Sequence, residues 1–586
     1  MAAARTISAS VPPSPPKMRI DRRWTIALVC VLAWGLSACS MQGTPPPRSS
    51  PLTGPYTWQV FPGHQPAGNL VIGDTDVAVS ANPLFAFSRG DLEVTAALWA
   101  APVVFDQYFH AQADQLTEVP LPENGDVLDG GKTVIMHLRH DLYWSDGQPL
   151  LAGDFVYWWH LDQDAESGAV TTAGYDQIAS ISTPDQYTVI LHLKHPFGPY
   201  VSYLPYAAPE HAWGHFSPLD LQNRPDIFQA PVVTDGPYML AVAVRQQSYQ
   251  LVPNRYYRST TFHGPFLAHL VYRSYQTVGA LEQAMRSGEV DLAEGLSEDQ
   301  LSGLGKLPGT LRVQITPAAA YEHLDFNLAR PLWQDLSVRQ AVELAVDRCG
   351  IVRDILHMPD CTRVASQVEP QPSLFYDASI GPAPYDPRLA RQLLARAGWL
   401  PGDGGQIYRQ GEAFVVHLVT VSGNTLRAAV ARRIQQNLRA VGIQVDVTFA
   451  DPGTFFGVYA RGGILATGAY DLALFGYANA PDPDDEYAVF HSSQIPDVTN
   501  GSAGNYGRVA DPLIDQALTL GRESVAFATR VQDYHRFLER LASQVYLVPL
   551  YSARDILVVN TSLHNSVGNA NSVENNWNIA DWWIAG

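Results

Sequence analysis

Between Asn424 and Phe449 the chain reads NTLRAAVARRIQQNLRAVGIQVDVTF, a helix that turns into a strand with almost nothing between them. Asn424 is a good N-cap, and Val430, Ile434, Leu438 and Val441 fall on one face. Gly442 supplies the stop, and Gln444–Phe449 alternates as a strand does. Two further helices share this punctuation. Asp386 followed by Pro387 starts DPRLARQLLARAGW, with Leu389, Leu393 and Ala397 on one stripe and Gly398 as terminator. Ser337 with Gln340 forms a capping box ahead of VRQAVELAVDRCGIVRDIL, read as one helix with Val338, Val342, Ala345 and Val346 on a shared face. Repeated passage from helix to strand restricts the second half to an α/β lobe. Earlier strands are predicted at Asn69–Gly73, Thr133–Leu138 and Tyr187–Leu193.

A chain of 586 residues exceeds what one core can serve, so two or three lobes are expected. Apolar residues make up 46% and charged residues 16%, which excludes a disordered polyelectrolyte. The net charge of −19, with no basic stripe, argues against nucleic acid as a partner.

Arg22 and Arg23 precede a thirteen-residue apolar run, Trp24–Leu36, which is short for a spanning helix and reads as a secretory signal. It ends in Leu36-Ser-Ala-Cys39, which resembles a bacterial lipobox. Cleavage after Ala38 and lipidation of Cys39 would anchor the protein outside the cytoplasmic membrane. Residues 39–65, rich in Pro and Ser, read as an extended tether, with the folded part beginning near Gly68. Only Cys349 and Cys361 then remain in an oxidising compartment. The reversal at Met358-Pro-Asp360 could bring them within bridging range, the other reading being two free thiols.

Catalytic signatures fail on inspection. GDVLDGGKT, Gly125–Thr133, has phosphate-loop composition, but its first glycine is misplaced and a strand follows. The His192/His195 and His211/His215 pairs lack the companions of a metal site, and there is no GxSxG elbow. No metal or cofactor is expected, and no enzyme activity.

The stretch LRHDLYWSDGQPLLAGDFVYWWHL resembles the signature of the family 5 extracytoplasmic solute-binding proteins, the oligopeptide- and dipeptide-binding components of ABC importers. Ser145-Asp-Gly147 is turn chemistry, and Asp154 begins a helix whose Phe155, Trp158 and Trp159 are read as core. Further blocks resemble the family in order: Thr234–Tyr238, Asn254–Tyr257, Phe326-Asn327 with Asp335–Arg348, Tyr385–Trp399 and Val548–Leu550.

The resemblance implies an α/β fold of the periplasmic-binding-protein type II kind, with two jaws made of three lobes, mixed sheets and a hinge of two chain crossings. Lobe I would take residues 66–108, 221–324 and 549–586, lobe II residues 109–220 and lobe III residues 325–548. The crossings would fall near Tyr321–Asn327 and Leu547–Tyr551. It also implies a monomer that closes on a small ligand and delivers it to an ABC permease.

Peptide-binding members neutralise the ligand's ammonium with an aspartate three positions before an Asp-Pro pair. In FGYANAPDPDDEY that pair is Asp482-Pro483, and the aspartate position holds Asn479. Either Asp482 or Asp484 reaches in instead, or the ligand is not a simple peptide but a sugar, metal complex or opine. Matching positions add Tyr477, Tyr321, Tyr551, Phe87 and Arg89 as ligand candidates. Two other roles stay open: sensing on the same fold, or a lipid-anchored hydrolase, for which no suitably spaced nucleophile or acid pair is present.

Overall fold

The computed structural model describes residues 50–585, except residues 57, 59–60, 62, 64, 372 and 570–574. The signal segment and Cys39 lie outside the described residues. Ten strands form one mixed sheet and are labelled within it in chain order: β1 (Asn69–Asp74), β2 (Tyr238–Val244), β3 (Ser248–Pro253), β4 (His269–Ser274), β5 (Leu292–Ala293), β6 (Leu311–Phe326), β7 (Val415–Val421), β8 (Gln444–Ala450), β9 (Leu472–Ala478) and β10 (Leu547–Asn560). Their spatial order is β8-β7-β9-β6-β10-β5-β1-β4-β3-β2.

Strands β6 and β10 are the longest, and they pair antiparallel along most of their length. One end of this ladder continues into β9, β7 and β8, and the other into β5, β1 and the β4-β3-β2 meander. Each end covers its own core. One contains Leu70, Leu251, Leu270 and Leu557 with Trp144, Phe155 and Trp158, while the other contains Leu324, Val342, Leu418, Ile434, Leu474 and Val548. The ladder loses register between Pro317 and Tyr321 and again between Glu322 and His323, which puts two irregularities where the chain passes from one core to the other.

A separate four-stranded antiparallel sheet, built from residues 127–128, 133–137, 178–185 and 188–193, carries the helix Ala152–Gln163, labelled α1. Asp154 sits at its third position, where one carboxylate oxygen accepts from the Leu151 backbone N–H at 2.9 Å and from the Trp144 indole at 3.2 Å. That pair of bonds ties the turn to the helix start.

The helix from Asn424 forms as expected. The Asn424 side chain accepts from Arg427 N, Val430, Ile434 and Leu438 are fully buried, and Gly442 takes a φ of 94°. Two readings change. The run after Asp335 is two helices, Leu336–Ala345 (α2) and Arg348–Asp354 (α3), because Asp335 caps the first and Asp347 accepts from Gly350 N to start the second. In the helix Pro387–Arg396 the buried stripe is Ala390 and Leu394, one position on from the predicted one, since Leu389 and Leu393 sit at its margin.

Part of the segment read as a tether packs against the folded body between Ser50 and Phe61, although Pro51 and Pro55 are exposed. The Leu52 carbonyl accepts from Ala111 N at 2.7 Å, and Tyr56 donates its hydroxyl to Asp581 at 2.6 Å. Tyr56 meets Phe262 edge-on at 5.3 Å, and Trp58 meets Trp577 at 5.9 Å. Proline content suggested a spacer, but the aromatics just beyond it gain by burial. Cys349 and Cys361 are bonded, with Cα atoms 5.0 Å apart.

Candidate ligand-binding site

Strand β9 ends at Ala478 and delivers the loop of residues 479–484 to a point beside β6. Tyr477 lies opposite Tyr321 in that ladder, their rings 6.4 Å apart, and Tyr477 stacks on His323 at 5.5 Å. The Asn479 backbone N–H donates to Ala319 O at 2.5 Å, which fixes the loop against the irregular stretch of β6. Tyr321, Tyr477 and Asn479 are thus brought together, with Tyr551 on the neighbouring β10 opposite Glu322.

Asn479 is 8% exposed. Its amide donates to Glu486 Oε1 at 3.1 Å and to Val368 O at 3.3 Å, while its Oδ1 has no partner among the described residues. Around it stand three carboxyls that sequence reasoning missed: Glu369, Asp485 and Glu486. Among the described residues, each has one buried oxygen without a hydrogen bond. The buried Tyr321 hydroxyl is likewise unpartnered. Burial pushes the Glu369 carboxyl up to about 7. Asp485 and Glu486 are held well above the carboxylate range, first by burial and then by their acidic neighbours. Among the described residues no cation answers this group.

The two aspartates expected to compensate for Asn479 are already taken. Asp482 is held by both terminal nitrogens of Arg530 at 2.6 Å, and Asp484 by Arg522 Nε and Nη2 at 2.8 Å. Bidentate pairs this well formed fix the loop and leave neither carboxylate free to reach a ligand. Phe87 and Arg89 lie elsewhere. Phe87 is 72% exposed, and Arg89 forms a bidentate pair with Asp74 at 3.0 and 2.7 Å.

Next to the loop, with Pro481 in its wall, is a cavity of about 350 Å³. Its other walls come from residues 83–105, from α1 and residues 170–206, from Asp114, Pro237, Tyr257 and Phe262, and from Asn569, Trp577, Ile579 and Ala580. The aromatic faces of Trp99, Trp158, Tyr206, Tyr257, Phe262 and Trp577 line it, and Asp114 and Asp162 supply its charge. Trp158, read as core, is buried and lines this cavity as well. Two contacts close the neighbourhood from outside. Gly198 lies against the Ser524 carbonyl, and the Arg522 guanidinium sits 5.8 Å over the Phe197 ring. A largely apolar, enclosed space with a few polar groups has the character of a small-molecule site.

Two cores joined by a pair of long strands, with a partly enclosed cavity on the first core that the loop of residues 479–484 reaches through Pro481, define the class of type II extracytoplasmic solute-binding proteins. The model of the bacterial extracellular solute-binding proteins, family 5 (middle region), matches residues 118–496, more than half of the chain, and the protein belongs to that family. The oligopeptide-binding protein AppA of Bacillus subtilis is 23% identical over 577 residues, covering 97% of this chain and all of AppA. The structure of that protein with a nonapeptide superposes with a TM-score of 0.68 at 22% identity, over 89% of this chain and all of that one. NikZ from Campylobacter jejuni in complex with Ni(L-His) gives a TM-score of 0.70 at 21% identity, over 88% and 99%.

Proposed function

We propose that this protein is a lipid-anchored solute receptor, held outside the membrane through Cys39. It captures a peptide-like ligand between its two jaws and hands it to an ABC import permease without changing it. The observation carrying this reading is the cavity beside the loop of residues 479–484, walled by stretches far apart in sequence, in a family member whose relative AppA is an oligopeptide-binding protein. Closure follows when the ligand binds the closed arrangement more tightly than the open one.

Asn479 itself supplies no charge, and Asp482 and Asp484 are neutralised by arginine. The ammonium of a free peptide N-terminus is therefore met by Glu369, Asp485 and Glu486, which surround the same amide. Proton uptake by these three carboxyls in the empty protein, and proton release when the ammonium arrives, keep the buried charge balanced.

The test compares a panel of free and N-acetylated peptides by thermal shift and small-angle X-ray scattering. Free peptides are expected to stabilise and compact the protein, with acetylation weakening both effects. Stabilisation by no peptide would remove the peptide reading, and equal effects of the two forms would remove the ammonium site. A Cys39→Ala chain found in the soluble fraction, where the unaltered chain sediments with membranes, would support the anchor.

A further inference from the structure

Asp162 lies in the last turn of α1 and its side chain faces the aromatic cavity. It is 3% exposed, and its one hydrogen bond among the described residues comes from the amide of its neighbour Gln163 at 2.8 Å. Among the described residues no arginine, lysine or histidine pairs with it. The position is unfavourable twice over, since burial penalises the carboxylate and the C-terminal end of a twelve-residue helix repels it. Burial pushes the carboxyl up to about 6.

Asp114, also lining the cavity, is buried and also raised to about 6 by burial, although the Tyr257 hydroxyl reaches it at 3.1 Å. The nearest basic group, Arg139, spends its hydrogen bonds on the Asp114 backbone carbonyl, the Arg258 carbonyl and Asp141. The described residues lining the cavity include these two carboxyls, a set of aromatic faces and no Lys, Arg or His.

We infer that this cavity selects an organic cation, an alkylammonium carried on an apolar framework. The inference rests on the solute-capture reading and names the chemistry of the guest. Each alternative is worse on electrostatic grounds. An anion would add a third negative charge to an enclosed low-dielectric space, and a neutral guest would leave Asp162 uncompensated. A cation answers the carboxylates, while the aromatic faces attract it through their quadrupoles and cover its methylenes. Two ring pairs are among its walls, Trp158 with Tyr206 at 5.4 Å and Phe262 with Trp577 at 6.4 Å. Asp162 is thus a specificity residue, at a cost in stability of the empty protein.

The same chemistry comes either as a free amine or as the side chain of a bound peptide. The experiment uses the full chain and titrates it by calorimetry with benzyltrimethylammonium, its neutral isostere neopentylbenzene, and benzenesulfonate. In parallel it titrates tripeptides carrying trimethyllysine or norleucine at the middle position. Benzyltrimethylammonium or the trimethyllysine peptide is expected to bind about 30-fold more tightly than its neutral counterpart. Asp162→Asn should cut that ratio at least tenfold without lowering the melting temperature, and Trp158→Leu should weaken the cation more than the isostere. Binding of the free amine assigns the site to small amines, and binding only within the peptide assigns it to a side chain. Equal affinity for cation and isostere, preference for the sulfonate, no binding in either framework, or an unchanged ratio in Asp162→Asn would overturn the inference. Binding of the norleucine peptide as tightly as the trimethyllysine peptide in the same titration would leave solute capture standing while cation selection fell.

Discussion

Asn479 donates to Glu486 Oε1 over 3.1 Å, while its own buried Oδ1 receives nothing among the described residues. The amide thus orients one carboxyl of a crowded acidic group without relieving its charge. Glu486→Gln keeps an acceptor for Asn479 and removes one member of that group. It is expected to stabilise the ligand-free protein by about 1–3 kcal/mol in denaturant unfolding. The same substitution should weaken free-amine peptides about tenfold and leave acetylated ones unchanged. A loss of stability would show that the Glu486 carboxylate is held favourably in the ligand-free protein.

Acid should stabilise the empty protein. Asp114 and Asp162 are raised to about 6 and Glu369 to about 7, each chiefly by burial. Asp114 is faced by Tyr257, Ser259, Arg139 and Asp581, Asp162 by Gln163 and Asp176, and Glu369 by Ser373, Asp482, Asp485 and Glu486. A carboxyl whose folded value exceeds the unfolded one, near 4, binds its proton more tightly when folded, so unfolding becomes harder as pH falls from about 7 towards about 4. Calorimetric melting temperatures are expected to rise from pH 7.5 to pH 5. Alkylammonium affinity should move the opposite way as Asp162 takes up its proton. A flat or falling melting temperature over that interval would contradict the burial assigned to these groups.

Arg530→Met leaves Asp482 buried without its bidentate partner, and a loss of about 3–5 kcal/mol is expected in urea unfolding. Asp482→Asn on the same background should restore most of it, because the uncompensated charge is the damage. Similar losses in the single and double variants would assign the effect to packing of the Arg530 side chain against Phe375 and Tyr534, whose rings lie 5.2 and 5.6 Å away.

A Cβ at Gly198 would run into the Ser524 carbonyl. Gly198→Val is therefore expected to hold residues 198–203 away from the facing helix Pro512–Glu523. The radius of gyration measured with saturating ligand should exceed that of the unaltered protein, with affinity reduced. An unchanged radius would mean that this contact yields locally.

The bond between Cys349, in the first turn of α3, and Cys361 closes a short loop, sequence separation 12, that contains the rest of the helix. Replacing both by serine should cost about 3 kcal/mol at most, on the chain-entropy account. A full-size loss of ligand binding with unchanged unfolding would point instead to a role in the cleft.

The elements legible in the sequence were those whose boundaries carry their own chemistry. Asn424 with Gly442 marked a helix to within a residue, because cap and terminator are local signals. The break at Asp347 was missed for the same reason, since a second capping aspartate inside an apolar periodicity looks like one more helical position. The carboxyl group around Asn479 was not legible at all. Glu369 lies 110 residues before Asn479, and the run Asp484-Asp-Glu486 has the composition of a solvated loop, yet folding buries it against β6 and the loop after Val368. Trp158 misled differently: helical spacing showed that it would be buried but could not show that a cavity would lie against its ring.

Because β6 and β10 are shared by both cores, neither half of the molecule can swing as an independent door. Any change of jaw angle must be absorbed within a continuous hydrogen-bonded ribbon, and the two slips in its registry at Pro317–Tyr321 and Glu322–His323 are where twist can accumulate at least expense. The elasticity of that ribbon, set by a handful of backbone pairings next to Asn479, then governs how much of a ligand's grip is spent on bending the protein and how much is left to hold the guest.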